Sequence, residues 1–358
     1  YVQGQCVHHI FNSSLKDEPT TLSKIAIGKT RIFQCAPFML TLIERMYFLP
    51  LVAIIQQENL RWETAVGCDA ASYDWTVFWR YLAQSPNIIN GDFKSYDQDL
   101  PLIVLYYAAD VLIRYLKESG YTDTQILVCE AVMEDVIFNA TNVDGDLITF
   151  TKGHASGHAL TVILNSMANS IMMRMAYEHL GGDAKTFQTY IHLLTYGDDN
   201  AAAVHTSIPW FNQKAVTEYF KLFNIGYTMA DKEAEVTEYV KLEDCEFLKR
   251  KFIFDTELGI VRAPLQIDSL KKSLMMRVDK GIITPQEHAI EVLSNYNREM
   301  IMHGRSAHDE AVSWIKIMIE KHNLLAYGKI ILPTYDDFME SKYGDHLFRR
   351  KQRSALSA

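Results

Sequence analysis

Cysteine is scarce and dispersed in this chain. Five occur in 358 residues, at Cys6, Cys35, Cys68, Cys129 and Cys245, and none forms a CxxC pair. An odd, widely spaced set excludes a disulfide framework or a zinc site built on paired cysteines, and it suits a reducing compartment. Long apolar runs are missing too. The most apolar stretch, Met46 to Ile55, contains Pro50 and follows Glu44-Arg45. It falls short of the about 20 apolar residues that a bilayer span requires, so the expectation is a buried helix and no transmembrane segment. No Met stands at position 1 and no basic-then-apolar leader follows, as expected of a segment of something longer. Low-complexity tracts, internal repeats and Gly/Ser/Pro-rich linkers are absent, which points to one multi-lobed body. The length allows one large or two ordinary domains with a well-buried core. Hydrophobic residues at 48% and charged residues at 22% are ordinary for a globular chain.

Positive charge is also in deficit: 35 Lys and Arg stand against 44 Asp and Glu, a net charge of −9. A uniformly basic surface is therefore excluded, but the position of the cations matters more than their average. Lys16, Lys24, Lys29 and Arg31 cluster near the start, and Lys249, Arg250 and Lys251 are consecutive. The run RRKQR, Arg349 to Arg353, reads as a solvated face.

The acidic residues are more telling. Ile191 to Tyr196 is a short, mostly apolar run that ends in Gly197-Asp198-Asp199, and Asn200-Ala-Ala-Ala-Val-His205 follows. This reads as strand, tight turn, strand, with Gly197 free to adopt the turn's unusual dihedral. Two adjacent carboxylates after a buried strand repel each other, and a cation is the natural compensation. Taken alone, Asp-Asp in a turn is also an ordinary surface feature. Upstream, Asn87-Ile-Ile-Asn-Gly-Asp92-Phe93 repeats the pattern of a short strand delivering a carboxylate, and Asp97 lies five residues on. If the strands pair, Asp92 and Asp198 are expected to face each other. Hard oxygen donors of this kind select Mg²⁺ or Mn²⁺, and two ions roughly 3.5–4 Å apart promote an in-line displacement.

Between the two carboxylate strands lies Gly153-His-Ala-Ser156-Gly157-His158, then Ala159 to Ala176 without Gly or Pro, which predicts a helix. Thr161, Asn165 and Asn169 fall on one face of it. That polar stripe is either a hydrogen-bonded seam between helices or a face turned toward a ligand. Ser156-Gly157 reads as a flexible loop with a hydroxyl at its tip.

In this order, KDE (Lys16–Glu18), GKTR (Gly28–Arg31), GDFKSYD (Gly91–Asp97), SGHALTVILNS (Ser156–Ser166), YGDD (Tyr196–Asp199), YTMADK (Tyr227–Lys232) and FLKR (Phe247–Arg250) resemble the motifs of RNA-dependent RNA polymerases from picorna-like positive-strand RNA viruses. The ordered set covers roughly residues 14 to 275 and is specific where each motif alone is weak. The resemblance implies an α+β right-hand polymerase of palm, fingers and thumb, with an antiparallel palm sheet flanked by helices. It divides the chain into partial fingers with a basic loop (1–75), palm with the first metal-ligand strand (76–120) and a fingers insertion (121–154). Palm follows with the polar helix, GDD hairpin, lysine loop and primer-grip hairpin (155–250), then a mostly helical thumb (251–358). Thr284-Pro285-Gln286-Glu287 reads as a capping-box helix start, and a second helix is expected from about His308 to His322.

By position, Asp92 and Asp198 resemble metal ligands and Asp199 the supporting carboxylate, with two Mg²⁺ ions implied and Mn²⁺ able to substitute. Asp97, Ser156, Gly157, Thr161 and Asn165 resemble the elements that bind the nucleotide and read its ribose 2′-hydroxyl. Lys16, Lys24, Lys29 and Arg31 resemble the basic loop over the triphosphate, where Arg can grip phosphate oxygens bidentately. Lys232 matches a general acid for pyrophosphate, and Phe247, Leu248, Lys249 and Arg250 match a primer-gripping hairpin; a solvated strand end explains Lys249 and Arg250 equally well. The implied partners are RNA template and primer, ribonucleoside triphosphates and other viral replication proteins. A small genome-linked protein primer is compatible with the resemblance, although no residue proves it. The implied location is the host cytoplasm, in membrane-associated replication complexes.

The chain departs from the family pattern where Pro19-Thr20-Thr21 replaces an expected Arg, where Lys94 stands close to Asp92, and where the N-terminal fingertips segment is missing. Three other classes share some features. A reverse transcriptase or DNA polymerase palm would carry a bulky side chain near Asp97. A catalytically inactive RNA-binding palm would not need Asp92, Asp198, Asp199 and Lys232 together. A metal-dependent phosphohydrolase would need neither the polar helix face nor the basic loop.

Overall fold

The computed structural model describes residues 1–230, 235–277 and 281–356, with side chains up to His346. In chain order its elements are β1 (Ile10–Leu15), α1 (Leu22–Ala26), β2 (Ile32–Cys35), α2 (Phe38–Gln57), α3 (Asp74–Leu82), β3 (Asn87–Phe93), α4 (Tyr96–Asp99), α5 (Leu102–Glu118), α6 (Asp123–Ile137), β4 (Ala140–Val143) and β5 (Asp146–Thr149). They continue with α7 (Thr161–His179), α8 (Phe187–Tyr190), β6 (Ile191–Tyr196), β7 (Asp199–Val204), α9 (Gln213–Lys221), β8 (Tyr227–Met229), β9 (Glu246–Phe247), β10 (Arg250–Lys251), β11 (Ile253–Asp255) and β12 (Ile260–Arg262). Four helices close the chain: α10 (Ile267–Met275), α11 (Pro285–Met302), α12 (Arg305–Lys321) and α13 (Tyr335–Leu356). The class is α+β, as expected.

Two compact units emerge. The first comprises residues 1–16, 20–67 and 82–241. It holds an antiparallel sheet in the order β6-β7-β3-β8 and a second sheet in the order β2-β1-β4-β5. Strands β3, β6 and β7 are almost wholly buried. Their apolar residues join α5, α6 and α7 in one core that includes Ile89, Leu105, Val132, Leu164 and Leu193. Helix α6 starts on a capping box, in which the Thr122 hydroxyl accepts from Gln125 N–H while the Gln125 side chain accepts from Thr122 N–H.

Helix α2 departs from expectation. It runs from Phe38 to Gln57, twice the length of the apolar run, and carries Pro50 in its interior. It is long and apolar enough to cross a membrane by length and composition, so the sequence-based argument from shortness does not hold. Nor is it buried all round. Leu40, Glu44, Phe48, Leu51 and Ile55 face the core, whereas Phe38, Met39 and Met46 are exposed.

The second unit comprises residues 17–19, 68–81 and 242–358. Trp75 is stacked on Phe252, and its indole N–H donates to the Lys251 carbonyl at 3.1 Å. Helix α11 begins at the expected box: the Thr284 hydroxyl accepts from Glu287 N–H, the Glu287 carboxylate accepts from Thr284 N–H, and Pro285 opens the helix. Helix α12 starts at Arg305, three residues before the expected position. Buried Ile290, Leu293, Ile315 and Ile319 pack these two helices together.

Candidate active site

The carboxylates meet at one end of the central sheet in the first unit. Strand β3 lies between β7 and β8, and its Asp92 pairs with Asp199 on one side and Thr228 on the other. Directly opposed residues on antiparallel strands share a face and sit with Cα atoms about 4.5–5.5 Å apart. The expected facing pair was Asp92 and Asp198. Instead Asp199 opens β7 and is the residue opposite Asp92, while Asp198 stands beside it in the turn. The reason is the tightness of the hairpin: Tyr196 pairs with Asp199, so Gly197 and Asp198 alone form the loop. Gly197 takes a φ of +62°, which suits the first position of a two-residue hairpin. Asp92 is buried, and Asp198 and Asp199 are half-buried.

A closed polar network holds that turn. Asn169 on α7 donates from Nδ2 to the carbonyls of Gly197 at 3.0 Å and Asp198 at 3.2 Å. Its Oδ1 accepts from Asn200 Nδ2 at 3.1 Å. The Ser166 hydroxyl accepts from Gly197 N–H at 3.0 Å and donates to the Val162 carbonyl at 2.8 Å. Tyr227 on β8 completes the network by donating its hydroxyl to Asn200 Oδ1 at 2.8 Å. Only a glycine at position 91 leaves room for it, because a Cβ there would overlap the Tyr227 ring and hydroxyl. Burial pushes the Tyr227 phenol well above its ordinary pKa, opposed by the Asn200 bond and reinforced by the charge of Asp92. Ser166 and Tyr227 lie in motifs quoted from the sequence and Asn200 directly follows the GDD, but none of the three was given a role there.

The second cluster surrounds Asp97 and Asn165. Asp97 lies inside α4, whose N-cap is Ser95 with no side-chain cap bond. Asp97 therefore does not cap this helix. Tyr96 is buried and donates its hydroxyl to the Asn165 carbonyl at 3.1 Å. Burial raises its pKa, and the charges of Asp198 and Asp97 add to that. The Thr161 hydroxyl donates to the His158 carbonyl at 3.0 Å and accepts from His158 N–H at 3.3 Å, closing the turn that leads into α7.

Ser156-Gly157, expected to be flexible, is docked. The Gly157 carbonyl accepts from Ala36 N–H at 2.9 Å, and Gly157 bridges to Cys35 at the end of β2. A Cβ on Gly157 would overlap the Gln34 carbonyl oxygen. Lys16, Lys24, Lys29 and Arg31 are exposed along the segment joining β1 to β2, with Lys16 N–H bonded to the Arg31 carbonyl and Lys29 N–H to the Lys24 carbonyl, each at 2.9 Å. Lys94 is exposed, and its N–H donates to the Gly226 carbonyl at 2.8 Å. Lys232 lies outside the described residues.

Phe247 to Arg250 belongs to the second unit. Leu248 and Lys249 form the tip of the β9–β10 hairpin, both with left-handed backbones. Phe247 is buried, and Arg250 makes a two-pronged pair with Glu299 at 2.8 and 2.7 Å. Of the four, Lys249 is exposed and Leu248 half-buried, so Phe247 and Arg250 shape the hairpin from within.

Similarity to known proteins follows this geometry. The model of the family described as viral RNA-dependent RNA polymerase matches residues 1–319. The chain belongs to this family. Relatives of the chain include the replicase polyprotein of Drosophila C virus (strain EB), 29% identical over 351 residues, which cover 94% of this chain and 20% of that polyprotein. The RNA1 polyprotein of Blackcurrant reversion association virus is 34% identical over 266 residues, covering 72% of the chain and 12% of the polyprotein. The chain thus spans about a fifth or less of these viral polyproteins. Among solved structures, the Sicinivirus 3Dpol RNA dependent RNA polymerase matches with a TM-score of 0.79 at 21% identity, covering 95% of this chain and 68% of that one. The chain accordingly has the right-hand fold of that structure.

The donors that the sheet end brings together, Asp92, Asp198 and Asp199, are carboxylates, which fit a hard divalent cation such as Mg²⁺ or Mn²⁺. No ready-made cage of three or more His, Cys, Asp or Glu side chains exists among the described residues. Mg²⁺ ordinarily takes one or two carboxylates and completes its shell with water and substrate phosphates, so an open set suits it.

Proposed function

We propose that this chain carries the catalytic site for template-directed synthesis of RNA from ribonucleoside triphosphates on an RNA template, in the replication of a positive-strand viral genome. The observation that carries this is the pairing of β3 with β7, which brings Asp92 beside the Asp198-Asp199 turn. Asp92 and Asp198 would hold two Mg²⁺ ions, replaceable by Mn²⁺, with Asp199 in support. Bound there, such ions supply activation of the attacking 3′-hydroxyl and stabilisation of the leaving pyrophosphate oxygen.

The chain's own residues do the rest. Asn169 and Ser166 hold the turn so that Asp198 needs no reorganisation when substrate arrives. Asp97 and Asn165 bond the ribose 2′-hydroxyl, with Ser156, Gly157 and Thr161 shaping that side of the pocket. Lys16, Lys24, Lys29 and Arg31 attract the triphosphate, Lys232 gives a proton to the departing pyrophosphate, and the Phe247–Arg250 hairpin supports the primer end, with Lys249 as its exposed cation. Partners would be template and primer RNA, other viral replication proteins, and a small genome-linked protein as the initial primer. The setting would be membrane-associated complexes in the host cytoplasm.

Primer extension on a homopolymeric RNA template tests the assignment. Asp198→Asn keeps the side chain's size but removes the charge an ion needs. We expect extension to fall by several orders of magnitude, since metals contribute several kcal/mol in phosphoryl transfer, while RNA binding persists through phosphate contacts made elsewhere. Near-normal extension by Asp198→Asn with Mg²⁺ would refute the assignment.

A further inference from the structure

Deep in the first unit, three side chains that no step above employs form an unbroken chain of hydrogen bonds ending on Asn165. Glu44 lies on the buried face of α2, fully screened from solvent. Its Oε1 is 2.6 Å from His158 Nδ1, and its Oε2 accepts from Ala159 N–H at 3.2 Å. His158 Nε2 meets His154 Nε2 at 2.8 Å, and His154 Nδ1 meets Asn165 Oδ1 at 2.7 Å. His154 also donates its main-chain N–H to the Asp97 carbonyl at 2.8 Å. His154 is therefore bonded to both residues assigned to the ribose, to the side chain of Asn165 and to the main chain of Asp97.

Counting protons settles the polarity of this chain. Asn165 Oδ1 can only accept, so His154 carries its proton on Nδ1. Burial, reinforced by His158, drives the His154 pKa down to about 3, against a smaller upward pull from the Asn165 bond. The ring is neutral, and its Nε2 is a bare acceptor. His158 must then donate from its own Nε2. One further proton lies between His158 Nδ1 and Glu44 Oε1, and wherever it rests along that contact the pair is net neutral. Neutrality is the least costly state for groups taken out of water. The opposite tautomer of His154 would set a lone pair against Asn165 Oδ1 at 2.7 Å, which is repulsive.

With Oδ1 already accepting from His154, Nδ2 is the polar group of the Asn165 side chain that has no bond among the described residues. We infer that Glu44, His158 and His154 form a relay that presents Asn165 as a donor, making His154 the positioning residue for 2′-hydroxyl selection. The inference rests on the assignment of Asn165 and Asp97 to the ribose. It sharpens that assignment: the 2′-oxygen accepts from Asn165, and the 2′-proton goes to the Asp97 carboxylate. An amide free to rotate would offer either end and read the hydroxyl less strictly.

Two variants of His154 separate positioning from packing. His154→Asn places an amide donor near the Nδ1 position, where it can still bond Asn165. His154→Gln places its amide near the Nε2 position and leaves Asn165 without that donor. The quantity measured on the full-length polymerase is the ratio of kcat/KM for a ribonucleotide to that for its 2′-deoxy analogue. His154→Asn should stay within about threefold of wild type, whereas His154→Gln should fall about tenfold, the worth of one net hydrogen bond. Equal ratios in the two variants, both kept or both lost, would overturn the relay. Should Asn165→Ala leave the ratio untouched, the ribose assignment itself fails and takes the relay with it. A measurement on the wild type requires no variant to fold: ¹⁵N NMR of labelled histidine should show His154 as the Nδ1–H tautomer, and an Nε2–H tautomer refutes the proposal.

Discussion

Replacing Asn169 with Ala removes three hydrogen bonds at once from a place closed to water. Two run to the carbonyls of Gly197 and Asp198, and the third comes from Asn200 Nδ2. A neutral hydrogen bond contributes about 0.5–1.5 kcal/mol net, and a buried donor left unsatisfied costs about 1–3 kcal/mol. The expected loss of stability is therefore about 2–5 kcal/mol, toward the lower end if water enters the vacated space. The loss in rate should be larger than that suggests, because the two carbonyls belong to the turn that carries the carboxylate. A displacement of about 1 Å at a reacting centre can cost 10²-fold. Asn169→Asp supplies the sharper comparison. It preserves size and still accepts from Asn200, but it turns a carboxylate oxygen toward two carbonyl oxygens. The isosteric change should thus be the more damaging of the two. Thermal melting reports the stability, and single-turnover incorporation with saturating nucleotide reports the chemistry. Were Asn169→Asp to extend primers as fast as wild type, or to outperform Asn169→Ala in both measurements, the idea that this network holds the catalytic turn would be wrong.

Gly91→Ala should destabilise the first unit by about 1–3 kcal/mol, the usual cost of overpacking, because the new methyl meets the Tyr227 ring; an unshifted melting curve would rule out that close approach. Lys232→Met should slow single-turnover incorporation by about 10²–10⁴-fold, the usual contribution of a general acid, and remove one ionisation from the pH–rate profile; an unchanged profile rejects the role. His154 is held neutral with a pKa of about 3 against an ordinary 6.5, so the unfolded chain takes up this proton first as pH falls. Its contribution is fully present above pH 6.5 and is lost toward pH 3, amounting to about 2 kcal/mol by pH 5. The pH 7 to pH 5 loss of stability should accordingly be smaller in His154→Asn, and an equal loss in both proteins would show that the ring is not held neutral.

Local chemistry made much of this protein legible from its residues alone. The GDD hairpin, the strand delivering Asp92, the polar face of α7 and the capping box at Thr284 all depend on neighbours within a few positions, where turn geometry and periodicity act. Their order along the chain sufficed to indicate the polymerase family. Tertiary structure alone decided which groups touch. Asp199 rather than Asp198 came to stand opposite Asp92, because a two-residue turn sets the register. Arg250 was claimed by Glu299, and Gly157 was docked against β2. Glu44 entered a relay with His158, 114 positions away in sequence. A buried polar side chain must find a partner, but its own sequence neighbourhood does not say which one. That choice is made when distant segments pack, and here it determined both the clamp on the Gly197-Asp198 turn and the support behind Asn165.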